Sequence, residues 1–154
     1  MTAEEILAIY TAGLPNWIQG DTILGDNIRG TNLPEVIDGC GGSDRIRAGG
    51  GNDFIIGGEE ADVIYTGSGR DVISVTTDGD ARFGDRVMDF THGQDVILFN
   101  NDPRYPGGVD GFEDLVIREC AGDWVQITVP GTDYIMRVNV LGVGSLDASD
   151  FFFG

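Results

Sequence analysis

Residues nine apart in this chain fall into columns. Ile28, Ile37, Ile46, Ile55, Ile64 and Ile73 share one column, and two residues earlier stand Asp26, Glu35, Asp44, Asp53, Asp62 and Asp71. Glycines cluster in front of the acids. The units read GTNLPEVID (30–38), GCGGSDRIR (39–47), AGGGNDFII (48–56), GGEEADVIY (57–65) and TGSGRDVIS (66–74). A turn plus three extended residues cannot bury its own Ile. Only stacked repeats can, so the period restricts the chain to a solenoid whose Ile column becomes a continuous apolar ladder.

The local chemistry of the unit is legible. Glycine tolerates positive φ, so a Gly-rich run turns tightly and aims its carbonyls inward. The acid that ends the run adds a carboxylate to the same concave loop. The following residues are short and β-prone, with the central Ile directed at a core. If successive strands lie on opposite sheets, two units of nine make one coil of about 18 residues, and repeats n and n+2 stack. Their loops then bracket a cavity lined by two carboxylates and several carbonyls. Such an all-oxygen, doubly negative cage suits a hard cation of calcium size, whereas magnesium dehydrates reluctantly and fits less well.

Charge points the same way. The 154 residues carry 26 acids against 9 basic residues, all of them Arg, for a net charge of −17. That balance argues against binding nucleic acid and equally against an anionic membrane surface. No apolar run approaches the ~20 residues of a spanning helix. At 41% hydrophobic residues the chain is too apolar for simple disorder. It folds, but its carboxylates oppose the compact state unless cations screen them.

The repeats resemble the RTX, or haemolysin-type, calcium-binding nonapeptide GGxGxDxUx. The stretch FGDRVMDFTHGQDVILF (83–99) resembles the segment that closes RTX rolls, and DLVI (114–117) with RVNVLGVGSLDASDFFF (137–153) resembles their C-terminal flank. The resemblance implies an all-β fold, a right-handed parallel β-roll, with Ca²⁺ held between loops, folding coupled to calcium, and export by a type I secretion machine. The expected organisation is a single domain: an N-terminal helical cap over 1–19, roll repeats over 20–82 and a β-rich flank over 83–154. Arg82 falls where the core column continues past Asp80, so the roll is expected to stop near residue 74.

Departures from the pattern rank the sites. Loop 30–35 holds Leu33, Pro34 and Glu35, and loop 57–62 holds Glu59 and Glu60, the latter at a glycine position. Loops 39–44, 48–53 and 66–71 fit well. Asp53 with Asp71 is therefore expected to flank the best site and Asp44 with Asp62 the second, while Asp26 with Asp44 and Glu35 with Asp53 are weaker. Gly42, Gly49, Gly51, Gly67 and Gly69 are the glycines expected to shape these loops.

The flanks carry less. Residues 2–14 read as a short amphipathic helix, with Thr2 and Glu5 as a capping box and Pro15 as its stop. Residues 112–140 alternate in three segments separated by AGD and PGT turns, the pattern of antiparallel strands. The closing SLDASDFFFG (145–154) resembles the end of a type I secretion signal and also suits a docking terminal strand. Cys40 and Cys120 are expected to be free thiols, and His92 a solvent-facing turn residue. No catalytic constellation stands out. The beginning of the chain lacks the charged start and long apolar centre of a signal peptide, which leaves the cytosol or export by another route; the resemblance to RTX proteins implies the latter, an extracellular or cell-surface location. The expected function is a non-enzymatic calcium-binding protein with a structural or adhesive role, with self-assembly or a surface or matrix component as partner. The alternatives are a folding and secretion module of a larger exported enzyme and a polysaccharide-active enzyme.

Overall fold

A computed structural model describes residues 16–76, 84–100, 109–142 and 145–154. The expected helix over 2–14 lies outside the described residues. The repeat strands are β1 (Trp17–Gln19), β2 (Asn27–Arg29), β3 (Val36–Asp38), β4 (Arg45–Gly50), β5 (Phe54–Ile56), β6 (Val63–Ser68) and β7 (Val72–Thr76). They alternate between two sheets: β1, β3, β5 and β7 pair in parallel in one, and β2, β4 and β6 in the other. Register is one coil per step, with Ile37 opposite Ile55 and Ile55 opposite Ile73. The chain is a parallel β-roll.

The Ile column lies between the sheets. Ile37, Ile46, Ile55, Ile64 and Ile73 are fully buried, and Ile28, on the edge strand β2, is nearly so. Alternation along each three-residue strand turns the flanking side chains outward. On the outward side of one sheet they form a smaller apolar cluster of Val36, Phe54, Val72 and Leu98.

The roll does not stop near residue 74. Strand β8 (Arg86–Thr91) pairs in parallel with β6, and β9 (Val96–Asn100) with β7, so both sheets gain another layer. Val87 and Ile97 continue the core column, each with no exposure. The physical reason is that a layer needs the correct side chain at the stacked position, not a constant number of residues before it. Arg82 itself lies outside the described residues.

Strands β10 (Val116–Glu119), β11 (Trp124–Thr128) and β12 (Ile135–Leu141) form the antiparallel meander the alternation predicts. Its last strand joins β8 in parallel, so the meander widens one sheet to seven strands in the order β10-β11-β12-β8-β6-β4-β2. Strand β13 (Phe151–Phe153) joins β9 in parallel and completes the six-stranded sheet. Phe151 stacks near Phe99 with ring centroids 6.3 Å apart, and Phe112 lies 5.5 Å from Phe151.

Candidate metal centre

The turns that connect the two sheets stack like the strands. Loop 48–53 lies on loop 66–71, with Gly51 N donating to Ser68 O at 3.0 Å and Arg70 N to Asn52 Oδ1 at 2.9 Å. Loop 39–44 lies on loop 57–62, where Glu59 N donates to Cys40 O at 3.0 Å. Backbone geometry repeats with the sequence. Positive φ recurs at Cys40, Gly49, Gly58 and Gly67, and again at Gly42, Gly51, Glu60 and Gly69. All five glycines expected to shape the loops are in this set. A Cβ on Gly69 would run into the carbonyl oxygen of Gly51 in the loop beneath, so only a bare backbone permits that approach.

The acids form two ladders. In one, Glu35 N donates to Asp53 Oδ1 and Asp53 N to Asp71 Oδ1, both at 2.9 Å. In the other, Asp26 N donates to Asp44 Oδ1 at 2.7 Å and Asp44 N to Asp62 Oδ1 at 2.8 Å. All four carboxylate pairs singled out from the sequence are adjacent in space. Their second oxygens differ. Oδ2 of Asp44, Asp53, Asp62 and Asp71 is buried with no hydrogen-bond partner. Glu35 instead spends both oxygens on its own loop, accepting from Thr31 N at 2.8 Å and Thr31 Oγ1 at 2.6 Å. Asp26 likewise accepts from Asp21 N. The longer Glu side chain folds back to brace a loop that Pro34 has stripped of an N–H donor.

Five buried carboxylates, Glu35, Asp44, Asp53, Asp62 and Asp71, within two stacks are costly as anions. Burial pushes Asp53 up to about 6, Asp71 to about 7 and Asp62 to about 8, and neighbouring carboxylates push further in the same direction. Asp44 is raised by the same causes. An anionic oxygen with no donor, in a cleft that raises its proton affinity, is a site awaiting a cation. The donors on offer, carboxylate oxygens and backbone carbonyls without nitrogen or sulfur, fit Ca²⁺.

Sequence reasoning missed two rungs. Asp62 N donates to Asp85 Oδ1 at 3.0 Å, and Asp71 N to Asp95 Oδ1 at 3.1 Å, over 23 and 24 residues instead of 18. The signal was present: GDRV (84–87) and QDVI (94–97) repeat the acid-x-aliphatic unit. Burial raises both acids to about 6. Asp95 Oδ2 is satisfied by Thr91 N at 2.8 Å, and Asp89 accepts from Thr66 N at 2.7 Å and Gly67 N at 3.1 Å, so the first ladder closes on protein donors there.

His92 is not a solvent-facing residue. It is half-buried, and its Nδ1 lies 2.9 Å from Asp150 Oδ2. Asp150 also accepts from Gly93 N at 3.2 Å and Asp147 N at 2.9 Å, which ties the turn after β8 to the short 3-10 helix Ala148–Asp150. Cys40 and Cys120 are free. Cys40 accepts a contact from Gln19 Nε2 at 3.2 Å.

Residues 38–73 match the family model of the RTX calcium-binding nonapeptide repeat, in four copies. No curated protein matches the chain. Among solved structures, the AlgE6R3 subunit of the Azotobacter vinelandii mannuronan C5-epimerase is 23% identical, with a TM-score of 0.61 over 88% of this chain and 91% of that one. The AlgE6R2 subunit of the same enzyme is 20% identical, with a TM-score of 0.67 over 92% of this chain and 95% of that one. At these identities the likeness is one of fold.

Proposed function

We propose that this chain, an RTX calcium-binding β-roll, is a secreted or surface-associated protein that folds when it meets calcium and acts as a structural or adhesive element without catalysis. The observation that carries the reading is the set of four buried, partnerless carboxylate oxygens on Asp44, Asp53, Asp62 and Asp71. Calcium between stacked loops would take those oxygens as ligands, with loop carbonyls completing the shell. Asp53 with Asp71 and Asp44 with Asp62 are the principal pairs, and Asp26 and Glu35 serve the weaker outer positions. Gly42, Gly49, Gly51, Gly67 and Gly69 let the loops close around the ion. Binding energy then becomes folding energy, because the unfolded chain holds no such cage.

The whole chain acts as one domain in this reading, and its last ten residues direct export before folding. The dissociation constants of extracellular oxygen-ligand sites, around 10⁻⁴–10⁻³ M, leave the chain unfolded in a calcium-poor cytosol and folded outside. A second reading, a folding module of a larger exported enzyme, is favoured by one observation: two structural neighbours are subunits of a mannuronan C5-epimerase. Circular dichroism in excess chelator and then in millimolar calcium tests calcium-driven folding. Loss of the β signal with chelator and its return with calcium is expected. An unchanged spectrum and melting temperature in chelator would overturn it.

A further inference from the structure

Six of the nine arginines of this strongly acidic chain stand on one sheet face. Cross-strand register puts Asn27, Arg45, Val63, Arg86, Arg137, Gln126 and Arg118 side by side in a single row that crosses the whole seven-stranded sheet. A second row begins Arg29, Arg47, Tyr65, and Trp124 stands opposite Asn139 at the far end of the sheet. Burial alternates along these strands, so both rows point away from the core. No Asp or Glu stands among these positions, although the chain has 26.

Among the described residues none of the six arginines forms an ion pair. Arg45 and Arg47 are held by neutral groups. The Arg45 and Arg47 guanidiniums lie 5.8 and 5.2 Å from the Tyr65 ring centroid, and Arg47 Nη1 donates to Asn27 Oδ1 at 3.1 Å. At the other end Arg86, Arg137, Met88 and Trp124 line a depression of about 460 Å³.

We propose that this face binds an acidic polysaccharide, a polymer with a carboxylate on successive sugars, along the arginine rows. Guanidinium forks match carboxylates in geometry. The indole of Trp124 offers an apolar face for a sugar ring between two of them. Neighbouring strands lie about 4.8 Å apart, so arginines of adjacent and alternate strands meet charges spread along a chain instead of a single ion. Nucleic acid is disfavoured because its denser charge meets a protein of net charge −17. The acids of the loops lie at the edges of the roll and leave this face to the cations.

The test is calorimetric titration of the calcium-loaded, full-length protein with hexagalacturonate, which is too short to gel. Saturable binding that weakens with salt is expected, together with no binding of the methyl-esterified hexamer. Arg86→Gln combined with Arg137→Gln is expected to weaken binding at least about tenfold, and Trp124→Ala similarly. The calcium midpoint of folding, followed in parallel by circular dichroism, should stay unchanged in the arginine variants, because both side chains are exposed. Equal binding by the variants, equal binding of the esterified hexamer, or no binding by a demonstrably folded protein would overturn the proposal. So would tighter binding of single-stranded DNA, or an arginine-dependent self-association that excludes the sugar.

Discussion

The amide of Asp53 donates to Oδ1 of Asp71 at 2.9 Å, while Oδ2 of Asp71 is buried without a donor. One oxygen of the carboxylate therefore holds the stack together and the other is left for an ion. Asp71→Asn keeps the acceptor and removes the charge. In chelator it should keep more of its β signal than the wild type, because repulsion from Asp95, Asp53 and Asp89 is relieved. In a calcium titration its midpoint should move to higher concentration. Asp133→Asn, exposed and part of neither hydrogen-bonded ladder, should change neither. Shifts of the same sign in both experiments would contradict the division of roles.

The pH dependence without calcium follows from the same burial. Asp53, Asp71 and Asp62 have folded pKa values of about 6, 7 and 8 against 3.8 ordinarily. The folded state therefore binds more protons than the unfolded one across this window. Its stability is fully present below about pH 4 and is lost as pH rises through about 6 to 8. In chelator the β signal should therefore be strongest near pH 4 and disappear as pH rises over that range. With calcium the trend reverses, since the ligands must be deprotonated, and the calcium midpoint should drop as pH rises.

Cys40 and Glu60 occupy loop positions with φ of 71° and 74°, where the equivalent residues are glycines. An L side chain in the left-handed region costs about 1 kcal/mol. Cys40→Gly and Glu60→Gly should each raise the calcium-loaded stability by about that amount. Glu60→Gly also removes a negative charge that raises Asp62 and Asp44. Denaturant midpoints in saturating calcium check both, and a loss of stability in both would contradict the strain assignment.

Ile55 sits opposite Ile37 on one side and Ile73 on the other, with no exposure. Ile55→Ala should cost about 2–5 kcal/mol. Val116→Ala, on an edge strand and 45% exposed, should cost far less. Urea unfolding in calcium gives the comparison, and a loss below about 0.5 kcal/mol at Ile55 would contradict the ladder.

The C-terminal ten residues carry two roles that separate by mutation. Deleting 145–154 removes β13 and the partner of His92, so stability and, on the proposed export route, appearance in the medium should both fall. Asp150→Asn weakens the His92 contact but leaves the terminal sequence nearly intact. It should lower the melting temperature and preserve export. Fractionation of medium and cytosol in an exporting host, beside melts of the purified proteins, distinguishes the two.

The repeat portion of the fold was legible because each unit is local. Columns of Ile and Asp at a period of nine dictate the coil, the two sheets and the pairing of acids 18 residues apart. What followed residue 76 was not legible from the period. The steps from Asp62 to Asp85 and from Asp71 to Asp95 lengthen, and a column of fixed width loses them. The return of β12 and β13 to the two sheets depends on which edges remain open, a property of the assembled roll. The arginine face was in reach of the same columns, since Arg45 with Arg47 stands 18 residues before Val63 with Tyr65.

The alternation of strands between two sheets bears on how this chain could have changed in length. Removing one unit of nine between β5 and β7 would send every later strand to the opposite sheet, carrying Arg86 and Arg137 away from Arg45, and β9 with β13 away from β5. Removing two would leave each downstream strand in its own sheet, one layer closer to the start. Viable insertions and deletions in the repeats should therefore come in steps of 18 residues, the sequence separation of stacked rungs. Kinship among such rolls would then be countable in whole coils, with half-coils absent from the lineage.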